Sequence, residues 1–129
     1  MKEIEDYSAE AQARMKWITY KGKEILIDDY SNIMPNQLPP LIENITNLTF
    51  QSGKKDILLI VDVTGAYANK EAVSAFSESG KKSKELIKKT AVVGITGVKK
   101  ILLKVVNKFT GLNAKPLSTR KEAKEWLVK

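Results

Sequence analysis

The chain has 129 residues, room for one domain, and its 43% hydrophobic and 29% charged residues form a mix that disfavours disorder. It has neither cysteine nor histidine, which excludes disulfide frameworks, thiol nucleophiles, Cys/His zinc sites and any Ser-His-Asp mechanism. Its formal charge of +7 is lopsided: residues 1–56 hold seven Lys/Arg against nine Asp/Glu, and residues 57–129 fifteen against six.

Residues 1–13 carry Ala and Glu with weak periodicity and read as a helical or frayed N-terminal extension. Two strands follow, Met15 to Tyr20 and Ile25 to Asp28, and the Lys21-Gly22 pair between them suits a tight hairpin turn. Pro35, Pro39 and Pro40 lead into a helix whose Leu38, Leu41, Ile42, Ile45 and Leu48 share one face. Residues 56–63, Asp-Ile-Leu-Leu-Ile-Val-Asp-Val, read as a strand buried on both faces, the mark of a parallel sheet covered by helices.

Asn69 is placed to cap a third helical segment in which Val73, Phe76, Gly80, Ser83 and Ile87 recur at spacings of three and four. Thr90 to Ile95 reads as a further buried strand. Thr96 or Gly97 opens a helix that Gly111 closes. A short strand, Ala114 to Leu117, precedes a terminal helix capped by Ser118 or Thr119. The expectation is a single α/β domain over residues 14–129, ββαβαβαβα, with a mostly parallel sheet and an antiparallel N-terminal hairpin.

Two turns end presumed parallel strands: Asp62-Val-Thr64-Gly65 and Gly94-Ile-Thr96-Gly97. Ligands of open α/β sheets gather at such ends, although neither phosphate-loop nor dinucleotide glycine spacing is present. Turn chemistry alone also accounts for these residues. Asp28 and Asp29 fall on opposite faces if their strand continues, so they make poor partners for acid–base chemistry. In the helix over 97–110, Val98, Ile101, Leu102, Val105 and Phe109 form one stripe, while Leu103 and Val106 widen the apolar arc towards Lys99. A basic helix with surplus apolar residues suits an anionic membrane interface, an apolar pocket or a protein partner; burial against a neighbouring helix would serve equally. Few aromatics accompany the basic half, so specific nucleic-acid binding is not expected.

The hairpin, the strand Ile57-Leu-Leu-Ile-Val-Asp62-Val-Thr64-Gly65 and the closing Glu122-Ala-Lys-Glu-Trp126-Leu127 helix resemble the STAS-like superfamily. The likeness is strongest to its SpoIIAA-like branch, whose fold is that of the bacterial anti-sigma-factor antagonists and is related to CRAL-TRIO lipid-transfer domains. Those antagonists are switched by phosphorylation of a serine in Asp-Ser-Ser-Gly. The corresponding stretch here, Tyr67 to Val73, has no serine or threonine, Thr64 belongs to the preceding motif, and Ser74 lies a turn too late. The resemblance implies a non-enzymatic module that binds a small apolar ligand or a membrane surface, or else a protein–protein signalling module.

Contacts to a ligand or partner are expected among Asp62, Thr64, Gly65, Tyr67, Asn69, Gly94, Thr96, Gly97, Lys99, Leu103 and Val106. No catalytic residue, metal or cofactor is expected. The longest aliphatic run, Ile57 to Val61, is far short of the ~20 residues that cross a bilayer. With an acidic start that reads as no secretory signal, the expected location is cytoplasmic, or peripheral at a membrane.

Overall fold

The computed structural model describes residues 6–67, 69–95 and 99–129, leaving out the side chains of residues 99–102, 105 and 109. In chain order the elements are α1 (Tyr7–Arg14), β1 (Met15–Tyr20), β2 (Lys23–Asp29), α2 (Leu38–Gln51), β3 (Ile57–Asp62), α3 (Lys70–Ser83), β4 (Ile87–Val93), α4 (Lys99–Thr110), β5 (Lys115–Leu117) and α5 (Arg120–Leu127). They form one five-stranded sheet in the order β1-β2-β3-β4-β5, antiparallel only between β1 and β2. The sheet thus has the expected α/β architecture, with an N-terminal helix added. Among the described residues no helix is long and apolar enough to cross a membrane.

The hairpin turns on Lys21 and Gly22, both at positive φ (49° and 78°), the twist that suits two-residue connections. Because the strand order then advances one way, crossovers of uniform hand put α2, α3 and α4 on one face. Helix α5 covers the other: Ala123 and Leu127 pack on Ile25, Ile27, Leu58, Ile60, Ala91 and Val93. Residues 7–14 are integrated with the first face, since fully buried Ala11 shares a core cluster with Leu38, Leu41, Ile42 and Ile45 of α2. Gly80 brings α3 close to the end of α4. A Cβ there would lie 2.8 Å from Leu112 Cδ1 and 3.1 Å from Thr110 Cγ2.

Caps follow the sequence. Asn69 Oδ1 accepts from Ala72 N at 2.9 Å, and Thr119 Oγ1 accepts from Glu122 N at 3.1 Å. Gly111, at φ 72°, stops α4. Two boundaries differ from expectation. Helix α3 ends at Ser83, and Ile87 opens β4 rather than closing the helix. The disguise was the Lys88-Lys89 pair, whose charges break the apolar run. Lys89 Nζ nevertheless sits 4.2 Å from the Trp126 ring centroid and donates to the Trp126 carbonyl at 2.7 Å, so a lysine is accommodated inside the strand.

The inner face of α4 also differs. Leu103, expected among the surplus apolar residues, is buried against Val92 and Ala114, and Val106 is half-buried. With Asn107 and the buried Thr110 they follow the i, i+3, i+4, i+7 spacing of a single helical face. Val98 lies outside the described residues, as do the side chains of Ile101, Leu102, Val105 and Phe109, which the sequence assigned to the sheet.

Candidate functional site

The strand ends gather Asp62, Thr64 and Gly94, and local bonds occupy their polar groups. Asp62 Oδ1 accepts from Thr64 N at 3.0 Å and from Thr64 Oγ1 at 2.6 Å, and Asp62 Oδ2 accepts from Arg120 Nε at 2.8 Å. Arg120 Nη2 also lies 3.2 Å from Asp29 Oδ2, while Asp29 Oδ1 accepts from Ser31 N at 2.8 Å. Burial by itself would raise the Asp62 carboxyl and is the largest single influence, but the Thr64 donors and Arg120 outweigh it and hold the group below its ordinary value. Asp29 is likewise lowered: Ser31, Arg120 and Arg14 outweigh the effect of burial. This cluster ties β2, β3 and α5 together.

Gly65 and Gly94 take φ of 70° and 87°, so each serves its turn. Asn69 is spent on its cap, and Tyr67, 72% exposed, stands on the surface before α3. Thr96 and Gly97 lie outside the described residues, and Lys99 is described only as the first residue of α4. The basic character of the C-terminal half gathers partly on the α5 face, away from α4. There Lys89 is lowered below the ordinary lysine value, first by burial and then by Lys23, Lys88, Lys115 and Lys129.

Leu103 and Val106 point to a different place. Between the sheet and helices α3 and α4 is a cavity of about 160 Å³. Val61 and Val92 line it from the sheet, Val63 from just past β3, Val73 and Phe76 from α3, and Leu103 and Val106 from α4. Phe76 is held edge-on to Tyr30, with ring centroids 5.2 Å apart at 85°. An apolar cavity of about 150 Å³ is large enough for a benzene ring, so this one has room for a ligand of about that size.

Polar residues on the wall are largely satisfied within the fold. Ser83 Oγ donates to Ser79 O at 2.7 Å, and Ser79 Oγ shares a 2.6 Å hydrogen bond with Thr46 Oγ1. The Asn107 amide binds both backbone groups of Ala114, at 2.8 and 2.9 Å. Asp28 is the exception. Its register partner on β3 is Val61, it lines the cavity, and it is 6% exposed. Among the described residues its Oδ1 is the one buried side-chain nitrogen or oxygen without a hydrogen-bond partner. Burial pushes its carboxyl up to about 8.

In the sequence Asp28 stands out only beside Asp29, as a carboxylate near a strand end. The signal that would have found it is period two: Asp28 follows Leu26 on the same strand face, where the next inward group should be apolar.

No family model matches the chain, and no curated protein matches it. Among solved structures it is similar to an uncharacterised protein of the DUF3478 family with a SpoIIAA-like fold, from Shewanella loihica PV-4. The TM-score is 0.66 at 18% identity, over 88% of this chain and 91% of that one. This chain therefore has the SpoIIAA-like fold.

Proposed function

We propose that the protein is a non-enzymatic module that binds one small apolar molecule in the cavity beneath α3 and α4. The observation that carries this reading is the cavity itself: about 160 Å³ of space walled by valines, Phe76 and Leu103. Binding is favoured over catalysis because the paired carboxylates at the strand ends, Asp29 and Asp62, are both engaged by Arg120. Pocket binding is favoured over insertion of α4 into a membrane because Leu103 is buried and Val106 lines the cavity wall.

Titration with toluene, followed by calorimetry and thermal unfolding, tests the reading. Wild type should bind one equivalent and melt higher, whereas Val106→Phe, which places a ring in the space, should stay folded and lose the response. Absence of wild-type binding both of toluene and of its amine, alcohol and carboxylate analogues would refute it. A second reading rests on Tyr67, whose 72% exposure suits docking to a protein partner through the residues that follow β3. In that case Tyr67→Ser would abolish partner recovery and leave toluene binding intact.

A further inference from the structure

We infer that the ligand of this cavity is an apolar amine about one ring in size, whose ammonium group pairs with the Asp28 carboxylate. The inference rests on the proposed cavity binding and names the ligand class. Asp28 is a core residue whose Oδ1 has no partner among the described residues, in a wall where Ser79, Ser83 and Asn107 are all bonded within the fold. A buried carboxyl left in this state costs stability and gives no packing in return. A ligand that supplies N–H donors removes the cost, and a cationic one makes the strongest such bond in an apolar surround.

The other charge chemistries fit poorly. No Lys or Arg is among the cavity-lining residues described, so a fatty acid or another anion would meet only the Asp28 carboxyl. A plain hydrocarbon would fill the space and leave Oδ1 bare.

Protonation gives this pairing a signature. The residues that surround the cavity from β3, α2, α3, β4 and α4 include Val61, Leu38, Phe76, Thr90 and Leu103, none of which titrates. Tyr30 is the other titratable residue on the wall, and burial, with a smaller effect from Asp28, holds its phenol well above the ordinary value, hence neutral. With Asp28 near 8 in the empty protein, an ammonium ligand must displace the carboxyl proton to bind at lower pH. Amine affinity should therefore fall about tenfold for each pH unit below that value.

Calorimetry on the intact chain with benzylamine, toluene, benzyl alcohol and benzoate tests this. At pH 8 wild type should bind benzylamine at least about tenfold more tightly than toluene or benzyl alcohol, and benzoate weakest. Asp28→Asn should keep toluene binding and reduce the amine preference to within about threefold. The pH series on wild type, flat for toluene and sloped for benzylamine, decides the matter even if the variant does not fold. Toluene binding without a preference for benzylamine, or benzoate binding as well as benzylamine, overturns the inference and leaves the cavity reading standing. Failure of all four probes to bind overturns both.

Discussion

Arg120 at the start of α5 donates to Asp62 Oδ2 at 2.8 Å, and the same guanidinium reaches Asp29 Oδ2 at 3.2 Å. One side chain thus locks the last helix to the ends of β2 and β3. The Asp62 side chain is only 9% exposed, against 38% for Arg120. Arg120→Ala leaves a buried carboxylate with Thr64 alone, and should cost about 1–3 kcal/mol, towards the lower end because the arginine is partly solvated. Urea unfolding checks this. An unchanged midpoint would mean that Thr64 suffices.

Gly94 makes a sharper case. At φ 87°, a Cβ on this residue would sit 2.6 Å from Thr64 Cα and 2.7 Å from Thr64 N, so backbone meets backbone. The Asp62–Thr64 turn cannot move aside without loss of the Thr64 bonds to Asp62. Gly94→Ala should destabilise by more than about 2 kcal/mol, from strain at positive φ and the clash together. Gly22→Ala is the control: φ is 78°, but a Cβ meets nothing within 4 Å, so only the conformational part remains. If the two variants lose equal stability, the close approach at Gly94 has no weight.

Local chemistry made much of the fold legible. The Lys21-Gly22 turn, the caps at Asn69 and Thr119, and the stop at Gly111 each depend on the residues beside them, and each stands where the sequence put it. What stayed hidden depended on distant partners. Lys89 lies in a strand because Trp126, 37 residues away, receives it. Asn107 and Thr110 share the inner face of α4 because Ala114 and the Val106 carbonyl satisfy them, so a buried face reads as half polar. The candidate site was hidden for the same reason. In the sequence Leu103 and Val106 read as apolar residues needing cover, but the cavity that gives them a role exists only where α3, α4 and three strands converge.

Leu103 offers a direct measure of that packing. It is 8% exposed and touches Val92 and Ala114 beside the cavity. Leu103→Ala should cost about 2–4 kcal/mol, and because the site already adjoins empty space, little collapse will offset it. Leu103→Asp should prevent folding, since it adds a second buried carboxyl without a partner. Circular dichroism of both variants checks this. A Leu103→Asp protein that melts like wild type would return the residue to the surface.

Asp28 makes the stability of the chain depend on pH. Its folded-state value of about 8 stands above the ~3.9 of an unfolded aspartate. Between those values the folded protein holds one proton more than the unfolded chain, so stability falls as pH rises. The stability linked to this proton is fully present below about pH 4 and is lost at a slope of about 1.4 kcal/mol per unit until the folded-state value is passed. Asp29 and Asp62 act with the opposite sign: their carboxyls are lowered, so their contribution is present above the unfolded value and lost as acid protonates them. The two trends meet near pH 4–5, and the empty protein should be most stable there rather than at neutrality. Asp28→Asn binds no such proton. Its stability should be nearly flat from pH 5 to 8 and should exceed that of wild type most at the alkaline end, even though the amide also lacks a partner. Urea midpoints taken at half-unit steps for both proteins measure the difference. If wild type and Asp28→Asn show the same slope, Asp28 is ionised in the folded state and some other group must balance its charge.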